Sequence, residues 1–94
     1  MNPIKLKSGI VGNLRIKAEN KKLEHVGKEL FKLDELWYIS QLVGKEDFDA
    51  EFYVSSQAEF GRLIEGIKRI DGIINMETSL IVRYVKYAGG LTFP

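Results

Sequence analysis

The sequence predicts an α+β fold, a four-stranded antiparallel sheet with two helices on one face. Three observations lead there. Two stretches alternate apolar and polar residues with the period of a half-buried strand. Two others repeat their apolar residues with the period of a helix, and the order along the chain is strand, helix, strand, strand, helix, strand. The 94 residues, 45% apolar and 29% charged, suffice for one domain with a modest core.

Residues 1–8 read as an approach segment that opens on the turn dipeptide Asn2-Pro3, with Pro3 steering Asn2 away from helical geometry, and Asn2-Pro3-Ile4-Lys5-Leu6 resembles an interdomain hinge. The domain itself is expected over 9–87, with 88–94 as a C-terminal tail. The first strand sets Leu14, Ile16 and Ala18 on one side and Asn13, Arg15 and Lys17 on the other. Asn20 is expected to cap a helix running to about Leu33, with Leu23, Val26, Gly27, Leu30 and Phe31 on its core face. Residues 36–42, rich in aromatic and β-branched side chains, form the second strand. Residues 44–47 make the glycine-containing turn of a hairpin. In the third strand Phe48, Ala50, Phe52 and Val54 oppose Asp49, Glu51 and Tyr53. Ser56 and Glu59 have the S-x-x-E spacing of a capping box, and Phe60, Leu63, Ile64 and Ile67 share a face of the helix that follows. Gly72 supplies the left-handed stop, and residues 73–87 make a long last strand that is apolar on both sides.

Two strand–helix–strand units joined by a hairpin give the ferredoxin-like βαββαβ arrangement. Its first and third strands are neighbours, so Arg15 and Lys17 are expected to face Asp49 and Glu51 across the helix-free side. Tyr53 and the last strand make that side too apolar to be left wet. A second copy is therefore expected to pack there, sheet on sheet, as a dimeric α+β barrel.

Composition removes several function classes. With no cysteine there is no thiolate chemistry, and His25, the single histidine, is expected to be a surface residue without a catalytic or metal role. No cofactor is expected. Lys45-Glu46-Asp47 lacks calcium-loop spacing, Gly9-x-x-Gly12 precedes a strand instead of a helix, and Gly89-Gly90 is a simple turn. The net charge of +1 comes with scattered basic residues, so DNA binding by this chain alone is expected to be negligible. No apolar run is long enough to span a membrane and no signal-peptide core is visible, which points to the cytoplasm.

Two segments carry binding chemistry. In Leu42-Val43-Gly44-Lys45-Glu46-Asp47 a glycine frees backbone amides beside a carboxylate, and in Asn75-Met76-Glu77-Thr78-Ser79 small hydroxyls enter the last strand. Amides, hydroxyls and a carboxylate suit a zwitterion, whose two charges want opposite partners. Residue chemistry alone leaves open a plainer reading, a shaped hairpin and an ordinary strand.

From about Val11 to Lys86 the chain resembles the C-terminal effector (RAM) domain of the Lrp/AsnC, or leucine-responsive/asparagine-operon, transcription regulators. The resemblance rests on G-K-E-D at 44–47 with F-D-A-E-F-Y-V after it, and on I-K-R-I-D-G-I-I-N-M-E-T-S-L-I-V. Gly44 and Asp47 match the family's G-x-x-D, while Ile70-Asp71-Gly72-Ile73 and Glu77-Thr78-Ser79 approximate its I-x-G-V-x-x-T-x-T/S. Val43 stands where the family commonly has threonine. The resemblance implies dimers that assemble further, up to an octamer, and an amino-acid effector bound at subunit contacts near the turn. The implied effector residues are Gly44, Lys45, Glu46, Asp47, Met76, Glu77, Thr78 and Ser79. It also implies that DNA is reached through a helix-turn-helix domain this stretch lacks, or through a partner regulator. On that reading the chain is an excised effector domain or a stand-alone one, and not an enzyme. The competing readings are a small dimeric α+β-barrel enzyme, which would need a constellation inside the barrel, and an ACT-like module of a metabolic enzyme.

Overall fold

A computed structural model describes residues 9–86. The hinge-like segment 1–8, the tail 88–94 with Gly89-Gly90, and Tyr87 lie outside the described residues. The elements are β1 (Ile10–Ala18), α1 (Leu23–Phe31), β2 (Leu36–Gln41), β3 (Phe48–Val54), α2 (Gln57–Lys68) and β4 (Ile73–Leu80), with a single 3-10 turn at Asn20–Lys22. The strands pair antiparallel in the order β2-β3-β1-β4, the ferredoxin-like topology expected.

Strand alternation decides the core. Leu14, Ile16 and Ala18 of β1 and Phe48, Ala50, Phe52 and Val54 of β3 are buried beneath Val26 and Leu30 of α1 and Leu63 and Ile67 of α2. The rings of Phe52 and Phe60 tilt against each other at 5.5 Å between centroids. Near the other end of β1, the Phe52 ring lies where a Cβ on Gly12 would stand, and Gly12 sits directly opposite Phe52 in the ladder. A side chain at position 12 has no room. That is the physical reason for a glycine inside this strand.

The core face of α1 is narrower than the apolar spacing suggests. Phe31 is 83% exposed, not buried as expected, because the core lies along Val26 and Leu30 and the stripe Leu23, Gly27, Phe31 turns toward the flank. Asn20 does not cap the helix either. It opens the 3-10 turn, and Lys22, the residue before α1, makes no side-chain cap. The entry is held from outside instead. Glu19 N–H donates to Gly72 O at 2.8 Å, and Lys22 Nζ reaches Asp71 Oδ2 at 2.8 Å. Gly72 has φ 105°, and a Cβ there would stand 2.8 Å from Lys22 Cβ.

β4 ends at Leu80, well short of the expected residue 87. Its only neighbour in the sheet is β1, which pairs Gly12 with Leu80 and then accepts a last bond from Ile81 N–H at Val11 O (2.9 Å). Residues 82–86 are not part of a strand, although β1 itself runs on to Ile10. Leu80, Val82 and Val85 are left exposed.

The capping box at α2 forms with a shift. Glu59 N–H donates to Ser56 Oγ at 3.1 Å, while Glu59 Oε1 accepts from Ser55 N–H (2.6 Å) and Ser55 Oγ (2.7 Å). The Ser55 backbone N–H, then its hydroxyl, hold the Glu59 carboxyl below the usual carboxylate range. A lowered folded-state pKa gives stability that is present above the unfolded pKa and lost as pH falls through the folded one. Glu59→Gln should therefore flatten the acid side of the stability profile. Thermal melts of both chains at neutral pH and below the carboxylate range measure this, and parallel losses would count against it.

Candidate functional site

The hairpin turn is anchored from below. Leu42 N–H donates to Asp47 O at 2.8 Å, closing the loop, and Asp47 N–H donates to Ile16 O at 2.9 Å. Asp47 Oδ2 accepts from Ala18 N–H at 2.8 Å, and Lys17 Nζ stands 3.8 Å away. Lys17 was expected to face Asp49 or Glu51. The register carries Ile16 to Phe48, so position 17 falls level with residue 47. Within one chain, then, the Asp47 carboxylate shapes the turn.

Above this anchor the turn is open. Val43, Gly44 and Lys45 are exposed, and Glu46 is half-buried. Gly44 does not use a positive φ, since Gly72 alone does so among the described residues. A Cβ at Gly44 would meet nothing within 4 Å.

The second segment is divided by the pleat. Met76 and Thr78 lie opposite Ile16 and Leu14, on the helix side, and Met76 packs against the core. Glu77 and Ser79 lie opposite Arg15 and Asn13, on the helix-free side. There they line a hollow of about 410 Å³ together with Asn13, Arg15, Glu51 and Ile81. Its charges are steered by neighbours. Arg15 Nε stands 3.9 Å from Asp49, Asn13 Nδ2 donates to Asp49 Oδ1 (2.7 Å) and Ala50 O (3.1 Å), and the Tyr84 hydroxyl donates to Glu51 Oε1 (2.9 Å). Arg15 is opposite Glu77 in the ladder but turns toward Asp49. Sequence alternation already put Asn13, Arg15 and Glu51 on this side. The hollow among them had no signal, since it needs the lean of residues 81–84 over the sheet.

One chain does not bring the two segments together. Asn75 is level with Lys17 and hence with the turn, whereas Ser79 is four residues further on, on the order of 13 Å along the strand. β3 and β1 also lie between the hairpin edge and β4. A pocket using both requires more than one chain. Among the described residues no group of His, Asp or Glu is arranged to hold a metal ion, and no helix is long and apolar enough to cross a membrane. His25 is exposed.

Residues 13–91 match the model of the Lrp/AsnC ligand binding domain, most of the chain. The chain belongs to the Lrp/AsnC family. It is 33% identical over 94 residues to an uncharacterized HTH-type transcriptional regulator of Pyrococcus abyssi and 31% identical to another of Pyrococcus horikoshii. These alignments take in 99% of this chain but 60% of each relative, so the chain spans somewhat over half their length. Solved structures share the fold. Escherichia coli AsnC superposes with a TM-score of 0.80 at 20% identity, over 93% of this chain and 60% of that one. The regulator NMB0573 of Neisseria meningitidis, solved with L-Met, gives 0.81 at 15% identity over 97% of this chain and 61% of that one. TTHA0845 of Thermus thermophilus gives 0.75 at 19% identity, over 83% of this chain and 99% of its own.

Proposed function

We propose that this Lrp/AsnC domain senses an amino acid and assembles a transcription regulator, in the cytoplasm and without catalysis of its own. One observation carries the reading above the rest. The family's ligand binding domain covers residues 13–91, and the turn of Gly44 to Asp47, which resembles the family's G-x-x-D, is exposed at Val43 to Lys45 above a hydrogen-bonded anchor. In this reading the amides at Val43, Gly44 and Lys45 take the effector's carboxylate. Glu77 and Ser79, from another chain of the assembly, offer acceptors to its ammonium. The exposed Val43 favours an apolar effector side chain, and NMB0573, which was solved with L-Met, supports that class. Two copies pack through their helix-free faces. Val11, Tyr53 and Ile81 cluster at one end of that face and supply its apolar patch. DNA is contacted by a helix-turn-helix outside the stretch described here, or by a partner regulator.

The test is thermal denaturation in the presence of each of the twenty amino acids. A ligand that binds only the native state at a hundred times its Kd adds about 2.7 kcal/mol. One amino acid, or a small set of related ones, should raise the melting temperature. Twenty superimposable curves would sink the sensing role. The barrel-enzyme reading would gain only from turnover of a substrate.

A further inference from the structure

We propose that Lys17 sets the chemical class of ligand the turn accepts: its ammonium offsets the Asp47 carboxylate, so that the turn's amides take a free carboxylate in preference to a neutral group. The inference rests on the effector reading above and deepens it. Its starting point is a conflict of sign. The amides at Val43, Gly44 and Lys45 are to receive an anion, yet the same turn carries two acids, Glu46 and Asp47, against a single base, Lys45. Left alone, the turn would repel the group it is to bind.

β1 supplies the missing charge. The register carries Ile16 to Phe48, so Lys17 stands level with Asp47, and its Nζ lies 3.8 Å from Asp47 Oδ2. That is too long for a hydrogen bond. The oxygen is already held by Ala18 N–H at 2.8 Å, and the backbone closes the turn between Leu42 and Asp47. Lys17 therefore acts on the turn as a charge and not as a strut. The Lys17 side chain is 47% exposed and that of Asp47 18%, so water screens the pair only in part. Arg15, the next base on that side of β1, stands beside Asp49 and not Asp47. On its other flank Lys17 pairs with Asn75 of β4, which is neutral. Lys17 need touch no ligand. It is a positioning residue whose effect passes through Asp47.

Calorimetric titration of the full chain tests it, with each of the twenty amino acids and its α-carboxamide, in which the free carboxylate becomes a neutral amide while the amino group stays. The parent should prefer the acid to its carboxamide for whichever amino acids bind. Lys17→Met should narrow that preference by roughly three- to tenfold, the size of one partly screened charge contact, by weakening the acid and leaving the carboxamide as it was. Lys17→Arg should keep the parent's ratio. Asp47→Asn placed in the Lys17→Met chain should restore most of it, since the charge to be offset is then gone. Lys17→Met should melt like the parent, because the Ala18 and backbone bonds that hold the turn remain. A merely structural role would instead lower acid and carboxamide binding together. A Lys17→Met chain with the parent's ratio, or one that loses both ligands alike, would overturn the inference and leave the effector reading standing. A parent that binds none of the twenty would overturn both.

Discussion

Gly12→Ala should destabilise this domain by about 3 kcal/mol, the upper part of the range for forcing a methyl group into a packed core. The added Cβ would collide with the Phe52 ring on one side and with Ser79 O of β4 on another, and neither can retreat. Phe52 is fully buried, and the Ser79 carbonyl belongs to the strand paired with β1. For a domain of this size the loss corresponds to a melting temperature lower by roughly 12–20 °C. Gly61→Ala is the matched control. Gly61 lies inside α2 with nothing within 4 Å of its added Cβ, so the same chemical change there should stabilise by up to about 1 kcal/mol. Urea unfolding of the two variants should give opposite signs. A Gly12→Ala chain as stable as the parent would show that the ring does not occupy that space.

Asp47→Ala is the second large effect, and it should appear in folding before it appears in binding. Its carboxylate accepts the N–H of Ala18, a residue only 3% exposed, so truncation strands a buried donor. That costs about 1–3 kcal/mol. The Lys17 pair adds little, being long and half in water. The turn then loses its side-chain anchor, and on the proposed reading effector affinity should fall as a consequence. Asp47→Asn keeps an acceptor oxygen and should recover most of the stability. If Asp47 acted only by touching a ligand, both variants would melt like the parent and differ from it in affinity alone.

The fold was legible because its signals are local and agree with one another. Alternation in β1 and β3 assigned the buried residues of both strands, and the S-x-x-E spacing located the start of α2. What the sequence hid depends on neighbours. Phe31 fits a helical apolar pattern, but how wide a stripe the sheet can cover is a tertiary fact. The end of β4 was invisible because residues 81–85 are as apolar as a strand needs, yet its pairing stops at Leu80 while β1 runs on to Ile10. The role of Asp47 was half legible. Its position in a glycine turn announced a shaped loop, whereas the Ala18 N–H it satisfies lies 29 residues earlier in the chain. The pleat sends alternate residues of 76–79 to opposite faces, a division that adjacency in the sequence does not display.

Gly44→Val separates the proposed effector site from the fold. In the single chain its new side chain meets open space and the backbone is not left-handed, so melting should match the parent. On the proposed reading, a β-branched side chain on the exposed turn would nonetheless fill the space through which an effector's carboxylate is to reach the amides. The decisive measurement is calorimetric titration of parent and Gly44→Val with the amino acid that most stabilises the parent. The account predicts saturable binding to the parent and a loss of affinity of at least about tenfold in the variant, or some 1.4 kcal/mol, at unchanged stability. Equal binding by both chains would contradict it.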